Sequence, residues 1–387
     1  MDYNKYLESL MSEAKFFHAK EKPNLNAINA ILEELKNPDL IPKFRTIISG
    51  TAGKGTVTRY VESYALNNNL TTLTLISPHI QTPLERIRLN GKIINEKEFA
   101  NQIKKIKTAS ENIKINPTYY EAMVLVGILL AAQEKVDLLN CEVGLGGEYD
   151  ACNAIKGDRY CAITFIGNDH KEIIGPTLED IAKEKSGIFR NKYSKYNVSY
   201  EKNLMNILST STKVEYIKYE SPDISNKKLA KKLIQNILNK KKINEANELK
   251  LPCRFEEIES NIILDGAHSE PRFLDIKNKL EKNPNQKYTT IFAMTKSHNP
   301  NDLKLLEKYI DKLILTQIDS YRKFWTTEEL KELFPNGIIE KNPIKALELA
   351  KSYNSKILVI GSFYLCGKIR EEYISTDTII KNHSEFI

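Results

Sequence analysis

The chain has 387 residues, of which 41% are hydrophobic and 28% are charged, a composition typical of an ordinary soluble protein of two or three domains. Lysine plus arginine exceed aspartate plus glutamate by 57 − 50 = 7, but the lysines are spread along the chain, which disfavours a nucleic-acid-binding stripe. The longest apolar run, Met123–Ala132, is too short to cross a bilayer, and the first residues lack the layout of a signal peptide.

Cysteine usage adds a prediction about the compartment. The five cysteines show neither CxxC spacing nor a dense framework, and most have apolar neighbours: Cys141, Cys152, Cys161, Cys253 and Cys366. An odd number of such thiols fits a reducing environment. We therefore predict a cytoplasmic protein with neither a membrane nor a nucleic acid as partner.

In the first 250 residues, apolar runs alternate with helical patterns, which is typical of a parallel α/β sheet. The predicted strands are RTIISG (45–50), TTLTLIS (71–77), VDLLNCEVGL (136–145) and YCAITFIG (160–167). The predicted helices are Val57–Asn68, Glu96–Thr108, Tyr119–Glu134 and Leu178–Phe189. The order of these elements predicts a mostly parallel sheet covered by helices.

A polar, lysine-rich interval over residues 239–252 precedes a second alternation. Here the predicted strands are NIILDGA (261–267), KYTTIFAMT (287–295), DKLILTQI (311–318) and KILVIGSF (356–363). Their intervening helices are centred near residues 277, 305, 329 and 347. We therefore expect two α/β domains, residues 1–250 and 251–387, with a boundary near Leu251.

A glycine-rich stretch follows the first predicted strand and opens a helix. It reads Gly50-Thr51-Ala52-Gly53-Lys54-Gly55-Thr56, with Ile48 where the common P-loop has a glycine and with Gly55 inserted after the lysine. Strand, loop and helix in this order surround an anion with backbone N–H groups, while Lys54 counters phosphate charge and Thr56 can face a metal. The alternative is a βα turn with an exposed lysine. We expect a nucleotide-phosphate site.

Polar side chains end three other predicted strands. Ser77 lies in ISPHI, Glu142 in EVGLGGEYDACN, and Asp169 and His170 in IGNDH. Oxygen and nitrogen donors at neighbouring strand ends, beside a phosphate loop, can hold Mg²⁺. Each residue alone is weak evidence, and a lone histidine at a strand end is more often a hydrogen-bonded structural residue. Their joint position favours a metal site.

Together these motifs resemble a known family. The series YLESL, SGTAGKGT, SPHI…ERIRLNG, TYYEA, EVGLGGEYDACN, IGNDH…TLEDIAKEKSGI, LPCRFE, ILDGAH and GSFYLCG, from residue 6 to about 367, is similar to folylpolyglutamate synthase and dihydrofolate synthase of the Mur ligase superfamily. The resemblance implies a P-loop, Mur-ligase-like central domain with a mostly parallel sheet, followed by a smaller Rossmann-like α/β domain. Only 49 residues precede Gly50, too few for the extra domain of cell-wall Mur ligases.

The resemblance also implies a chemistry. Such ligases use ATP to convert a carboxylate to an acyl phosphate, from which the amine of L-glutamate displaces phosphate. The implied ATP-binding residues of the loop are Gly50, Thr51, Gly53, Lys54, Gly55 and Thr56. Lys54 would stabilise the migrating phosphoryl charge. The implied Mg²⁺ ligands are Ser77, Glu142 and His170, and Lys185 matches a lysine that the family carbamylates.

Further implied residues belong mostly to the second domain. Arg254 and Asp265 match residues that bind ATP, His268 matches a catalytic one, and Asn226 matches an asparagine on the adenine side. The implied substrates are ATP, L-glutamate and either dihydropteroate or a folate. The resemblance further implies a monomer.

The sequence departs from the family pattern at several positions. Ala52 replaces Asn, Leu84 replaces Asn, Glu148 replaces Arg, Cys253 replaces Gly and Ser269 replaces Asn, while TKSHNP replaces an acidic DKD segment. Exchanging Arg for Glu changes the local charge by two units near the implied substrate. Two alternatives therefore stay open: a divergent ligase for another carboxylate, and a nucleotide-binding protein that has lost ligation.

Overall fold

The structure is a computed structural model that describes residues 24–168, 171–189, 192–210, 212–320 and 322–386. The chain divides into two compact units. The first contains residues up to Pro78 together with Leu84–Leu249, and the second contains His79–Pro83 together with the chain from Lys250 onwards. Five residues that lie between two parts of the first unit in the sequence, His79–Pro83, therefore belong to the second unit.

The first unit contains an eight-stranded sheet of order β4-β3-β2-β5-β1-β6-β7-β8. Its strands are β1 (Phe44–Ser49), β2 (Thr72–Leu75), β3 (Ile87–Leu89), β4 (Lys92–Ile93), β5 (Leu138–Glu142), β6 (Arg159–Ile163), β7 (Ser194–Ser199) and β8 (Glu215–Tyr216). All neighbours pair in parallel except β2 with β3 and β3 with β4. The carboxyl ends of β1, β2, β5 and β6 consequently meet at one edge, where open α/β sheets bind ligands.

Helices cover this sheet because their apolar faces require burial. They are α1 (Asn26–Glu34), α2 (Lys54–Asn67), α3 (Glu96–Ile113), α4 (Tyr119–Gln133), α5 (Lys171–Ile174), α6 (Leu178–Lys185), α7 (Met205–Leu208) and α8 (Pro222–Leu238). Val57 and Val61 of α2 pack with Leu229 and Leu233 of α8 against Ile48 of β1. In each helix the two apolar side chains are four residues apart and therefore lie on the same face, which is the buried face.

The second unit contains a six-stranded sheet of order β13-β12-β11-β14-β10-β9. Its strands are β9 (Arg254–Glu259), β10 (Ile262–Asp265), β11 (Tyr288–Phe292), β12 (Ile310–Leu315), β13 (Ile338–Ile339) and β14 (Lys356–Ile360), and its helices are α9 (Glu270–Leu280), α10 (Thr327–Leu333), α11 (Pro343–Ser352), α12 (Phe363–Arg370) and α13 (Thr376–Asn382). Only β9 runs antiparallel, paired with β10.

Every strand that the sequence predicts is present, which confirms an α/β fold with a mostly parallel sheet followed by a second α/β sheet. Several elements were missed, among them the short β3 and β4, the charged edge strand β9 and the lysine-rich α8. Residues Pro300–Tyr309, predicted as a helix near residue 305, form a 3-10 helix. Among the described residues, no helix combines the length and the apolarity needed to span a bilayer.

Candidate functional site

The loop between β1 and α2 has a shape that requires glycine. Gly50 has a φ of +147° and Gly53 a φ of +91°, in the region that side chains other than glycine rarely adopt. A Cβ on Gly50 would lie 1.9 Å from Oγ1 of Thr164. Gly53 is the residue before α2, so the loop leads directly into the positive end of a helix.

The residues that follow β6 hold this loop by hydrogen bonds to the loop's backbone. Thr51 N–H donates to the carbonyl of Phe165 at 2.6 Å, and Oγ1 of Thr164 donates to the carbonyl of Ala52 at 2.7 Å. Because Ala52 contributes its backbone, the departure from Asn at this position leaves the loop's support intact. The loop is thus fixed from one side before any ligand binds.

Two lysine amines donate to one carbonyl of the loop. Nζ of Lys54 lies 2.9 Å from the oxygen of Gly50, and Nζ of the buried Lys185 lies 3.0 Å from the same oxygen. Two cations on one neutral carbonyl create a positive potential that attracts a polyanion. The structure therefore brings together two of the predicted catalytic residues, which are 131 positions apart in the chain.

The loop at residues 144–148 fixes Lys185 at the end of α6. A Cβ on Gly147 would lie 2.5 Å from the Lys185 carbonyl oxygen, so these backbones approach as closely as only glycine allows. Glu148 N–H donates to the carbonyl of Glu184 at 3.1 Å, and Asn153 donates to the Glu148 carbonyl at 2.8 Å. The backbone of Glu148 is therefore held whichever side chain this position carries.

Two of the three predicted metal ligands are adjacent. Glu142, buried at the end of β5, accepts a hydrogen bond from the backbone N–H of Ser77 at 2.8 Å on Oε2. A Cβ on Gly55 would lie 3.4 Å from Oε1 of Glu142, so this carboxylate faces the first turn of α2, which also contains Thr56. A carboxylate beside a phosphate loop is a ligand that fits Mg²⁺.

The third predicted ligand, His170, lies outside the described residues, as does Asp169. Within the described part of the chain, no three His, Cys, Asp or Glu side chains converge as a metal would require. Phosphate oxygens are suited as further ligands of a cation beside Glu142 and Ser77.

Asn226 of α8 contacts the loop from another side. A Cβ on Gly53 would lie 2.9 Å from both polar atoms of the Asn226 amide. The hydroxyl of Tyr200 donates to Oδ1 of Asn226 at 3.0 Å and accepts from the backbone N–H of Phe165 at 2.9 Å. Burial raises the pKa of Tyr200, so its hydroxyl stays protonated.

Sequence reasoning missed Tyr200 and Thr164. Both immediately follow a strand, Tyr200 after β7 and Thr164 after β6. That position is the only sequence signal available, since the strand β7 itself was not predicted. Thr164 lies inside the predicted strand 160–167 and Tyr200 follows a strand that was not predicted, so polar residues just beyond the predicted strands would have included neither.

In the second unit, Asp265 ends β10 and is fully buried. Its two carboxylate oxygens accept backbone N–H groups of Phe255 at 2.7 Å and Ala267 at 2.8 Å. These bonds shape the turn that carries His268. Asp265 therefore acts here through the backbone that it holds.

His268 lies in a group of rings and cations. Its ring centroid is 4.6 Å from that of His298 and 5.6 Å from that of Phe363, and the Arg254 guanidinium lies 4.6 Å from the Phe363 centroid. His298 belongs to the TKSHNP segment that replaces the family's acidic segment. The sequence showed that this segment departs from the family pattern, but it did not predict that His298 would contact His268.

The protonation of His268 follows from these neighbours. Nδ1 lies 2.7 Å from the Gly266 carbonyl and must donate to it, which leaves Nε2 unprotonated in the neutral ring. Burial lowers the pKa of His268 well below its ordinary value, and His298, Arg254 and Arg272 lower it further. His268 is consequently neutral at pH 7.

No protein-family model matches the chain. It is 37% identical over 168 residues to a folylpolyglutamate synthase of Arabidopsis thaliana, an alignment that covers 42% of this chain and 29% of the plant protein. It is 28% identical over 408 residues to the dihydrofolate synthase/folylpolyglutamate synthase of Buchnera aphidicola, covering 94% and 96% of the two chains. The chain thus matches less than a third of the plant protein but nearly all of the bacterial one.

Solved structures share the fold. E. coli FolC, in complex with DHPP and ADP, superposes with a TM-score of 0.80 at 22% identity, covering 95% of this chain and 97% of that one. This likeness concerns the fold alone. On the alignment that spans nearly both whole chains, this chain is similar to a dihydrofolate synthase/folylpolyglutamate synthase.

Proposed function

We propose that this protein is an ATP- and Mg²⁺-dependent ligase that joins L-glutamate to the carboxylate of a pterin or folate. The observation that carries the proposal is the pair of amines, from Lys54 and Lys185, on the Gly50 carbonyl of a loop that opens a helix. The E. coli relative holds DHPP and ADP, and we extend both ligand classes to this chain.

The phosphates of ATP would lie on the glycine loop. Gly50, Thr51, Gly53, Gly55 and Thr56 supply backbone or hydroxyl groups there, and Asn226 would face the adenine side. Ser77 and Glu142 would hold Mg²⁺, which when bound neutralises phosphate charge, and His170 is proposed as a further ligand. The Glu142 carboxylate facing Gly55 supports this assignment.

The reaction has two balanced steps. The acceptor carboxylate oxygen attacks the γ-phosphorus of ATP, giving an acyl phosphate and ADP. The glutamate nitrogen then attacks the acyl carbon, phosphate leaves, and the nitrogen loses a proton as the amide forms. Lys54 stabilises the negative charge of the transferring phosphoryl group. To do so, its amine exchanges the hydrogen bond to the Gly50 carbonyl for one to a phosphoryl oxygen.

Lys185 is proposed to act as a carbamate. The ammonium first loses a proton to solvent; the neutral nitrogen then forms a bond to the carbon of carbon dioxide and loses a second proton, which leaves an anionic carbamate oxygen donor beside the loop. Its burial and its contact with the Gly50 carbonyl support a position in the site rather than on the surface. In the absence of the carbamate, the same amine adds positive charge.

In the second unit, we assign His268 to catalysis and Arg254 and Asp265 to ATP binding. The neutral ring of His268 keeps a lone pair on Nε2, which can accept a hydrogen bond from the glutamate nitrogen and orient it. The stacking of Arg254 on Phe363 and the backbone bonds of Asp265 support ordered positions for both. We assign residues 1–250 to ATP binding and 251–387 to the glutamate-ligase domain.

The proposal also includes a monomer in the cytoplasm that acts on small molecules, with neither a nucleic acid nor a membrane as partner. Its support is the scattered placement of the lysines and the five buried thiols, which are free rather than disulfide-bonded. Gel filtration, and retention on DNA or RNA at low salt, test these statements.

One assay tests the function. Purified protein receives ATP, Mg²⁺ and glutamate, with dihydropteroate or tetrahydrofolate in parallel, and products are identified by mass. We expect a product heavier by one glutamyl residue with at least one acceptor, together with phosphate. Nucleotide binding without a glutamylated product on either acceptor would contradict the assignment and favour a protein that has lost ligation or that uses another carboxylate.

A further inference from the structure

The segment His79–Pro83, called here the crossing segment, belongs to the second unit although the chain on both sides belongs to the first. Its anchor is the side chain of Gln81. The Nε2 of Gln81 donates to Oε2 of Glu371 at 2.6 Å and to the carbonyl of Ile374 at 2.8 Å, and its Oε1 accepts from Nη1 of Arg370 at 2.6 Å. Both ends of this amide are therefore bonded within the second unit.

Arg370 connects the anchor to other parts of the second unit. It is completely buried, and its Nε donates to both carboxylate oxygens of Glu256 at 3.0 and 3.1 Å. Glu256 in turn accepts the backbone N–H of Cys253 at 2.8 Å, next to Arg254. One buried guanidinium thus joins the crossing segment to the segment that carries a proposed ATP-binding residue.

The backbone of the crossing segment is also tightly seated. A Cβ on Gly367 would lie 2.4 Å from the carbonyl oxygen of Ile80, so α12 approaches this peptide at a distance that only glycine permits. Gln81 is four residues after Ser77, a span of at most about 14 Å even when fully extended. The short chain between Gln81 and Ser77 therefore limits the positions that Ser77 can take once Gln81 is held.

We propose that Gln81 is a positioning residue for the metal site, acting through the peptide that leads back to Ser77. This inference rests on the proposed function for the metal role of Ser77 and Glu142. Ser77 contributes to the metal site in two ways, because it is a proposed ligand and its N–H donates to the Glu142 carboxylate. A displacement of Ser77 therefore removes a ligand and also the bond that orients Glu142.

The test compares Gln81→Ala with Gln102→Ala. Gln102 is a buried amide in α3 that donates to Gln133 at 3.0 Å, and it serves as a control for the general cost of losing such bonds. We expect Gln81→Ala to raise the Mg²⁺ concentration for half-maximal activity about fivefold to tenfold, with the KM for glutamate unchanged. By calorimetry, ADP affinity should fall several-fold with Mg²⁺ present and stay unchanged without it.

A double variant that exchanges the side chains of Gln81 and Glu371 tests whether the Mg²⁺ response can be restored. Gln81→Glu alone sets a carboxylate against Glu371, so it should impair the Mg²⁺ response at least as much as alanine. Combined with Glu371→Gln, it restores one donor and one acceptor between the two positions, and we expect the response to return toward wild type. A merely structural role would change thermal stability in these variants without moving the Mg²⁺ dependence.

The outcomes separate the inference from the function on which it rests. A wild-type protein without ligase activity refutes the proposed function, while its Mg²⁺-dependent ADP affinity still measures the effect of Gln81. Equal Mg²⁺ dependence of ADP binding in Gln81→Ala, Gln102→Ala and the wild type would overturn the positioning role. Should Gln81→Ala not fold, the exchange pair and Gln81→Asn decide the same question.

Discussion

The glycine loop of the first unit and the His268 cluster of the second are built by different means. The loop is held at its own backbone: two glycines have positive φ, the Gly50 carbonyl accepts from two lysines, Thr51 N–H donates to the carbonyl of Phe165, and the Ala52 carbonyl accepts from Thr164. In the second unit, side chains stack on one another, with His268 against His298 and Arg254 against Phe363. Backbone shape tolerates side-chain exchange, as Ala52 illustrates, whereas a stacked cluster changes its charge with each substitution.

The largest effect is expected at Lys54, because its charge is what the transferring phosphoryl group requires. Lys54→Ala should reduce ligase kcat/KM by about a hundredfold to a thousandfold, as loss of a group that stabilises transition-state charge does. Thermal stability should stay near wild type, since this amine is only partly buried. The control is Lys97→Ala, an exposed lysine of α3, and wild-type turnover in Lys54→Ala would remove the assigned role.

A second large effect is expected at Lys185. Lys185→Ala should lose most activity and regain part of it when a short-chain carboxylic acid is added, because that carboxylate can occupy the oxygen-ligand position of the carbamate. Lys183→Ala, an exposed neighbour on α6, should stay active with or without the acid. A fully active Lys185→Ala would refute the role.

Tyr200 tests how much the loop depends on its support. Tyr200→Phe leaves the partly buried Phe165 N–H and the buried Asn226 oxygen without this hydroxyl, at a cost of about 1–3 kcal/mol in the free energy of unfolding. ATP should bind about tenfold more weakly, because the loop loses its fixed side. The exposed Tyr216→Phe is the control in both measurements, urea unfolding and calorimetry, and equal values for the two variants would show that the loop holds its shape alone.

His268 gives the smallest effect, a change in the pH dependence of stability. Its pKa in the folded protein lies below the unfolded value of about 6.5, so below that pH the unfolded chain binds a proton that the folded chain does not. Stability should therefore fall as the pH drops below about 6.5, by at most about 1.4 kcal/mol per pH unit from this group. His268→Gln should flatten that slope in urea unfolding between pH 5.5 and 7.5.

The control for this slope is His383→Gln, at the end of α13. If His268→Gln and the wild type share one slope, His268 does not titrate differently in the folded and unfolded chains, and its neutral state in the cluster would be wrong.

The same contrast explains what the sequence could and could not predict. The loop was predictable because strand, glycines, lysine and helix are contiguous, and each glycine answers a local requirement such as the φ of +91° at Gly53. Alternation of apolar runs likewise predicted the central strands. The edge strand β9 was missed because four of its six residues are charged and partly or fully exposed, so that no apolar period marks it.

Long-range contacts between side chains carry no such local signal. His298 contacts His268 from 30 residues away, Tyr200 reaches Asn226 from a different element, and Gln81 meets Arg370 across 289 positions. These contacts depend on how sheets and helices pack, which a single sequence does not specify. The resemblance to a family named most site residues, but none of these three contacts.

The most direct test of the account concerns the fate of a carboxylate oxygen. Dihydropteroate or tetrahydrofolate labelled with ¹⁸O in the reacting carboxylate is incubated with the protein, ATP, Mg²⁺ and glutamate, and the released phosphate is analysed by mass. An acyl phosphate requires that one labelled oxygen leave with the phosphate, and we predict one ¹⁸O in each phosphate formed with the amide product. Unlabelled phosphate alongside amide would contradict activation of the carboxylate by ATP at this site.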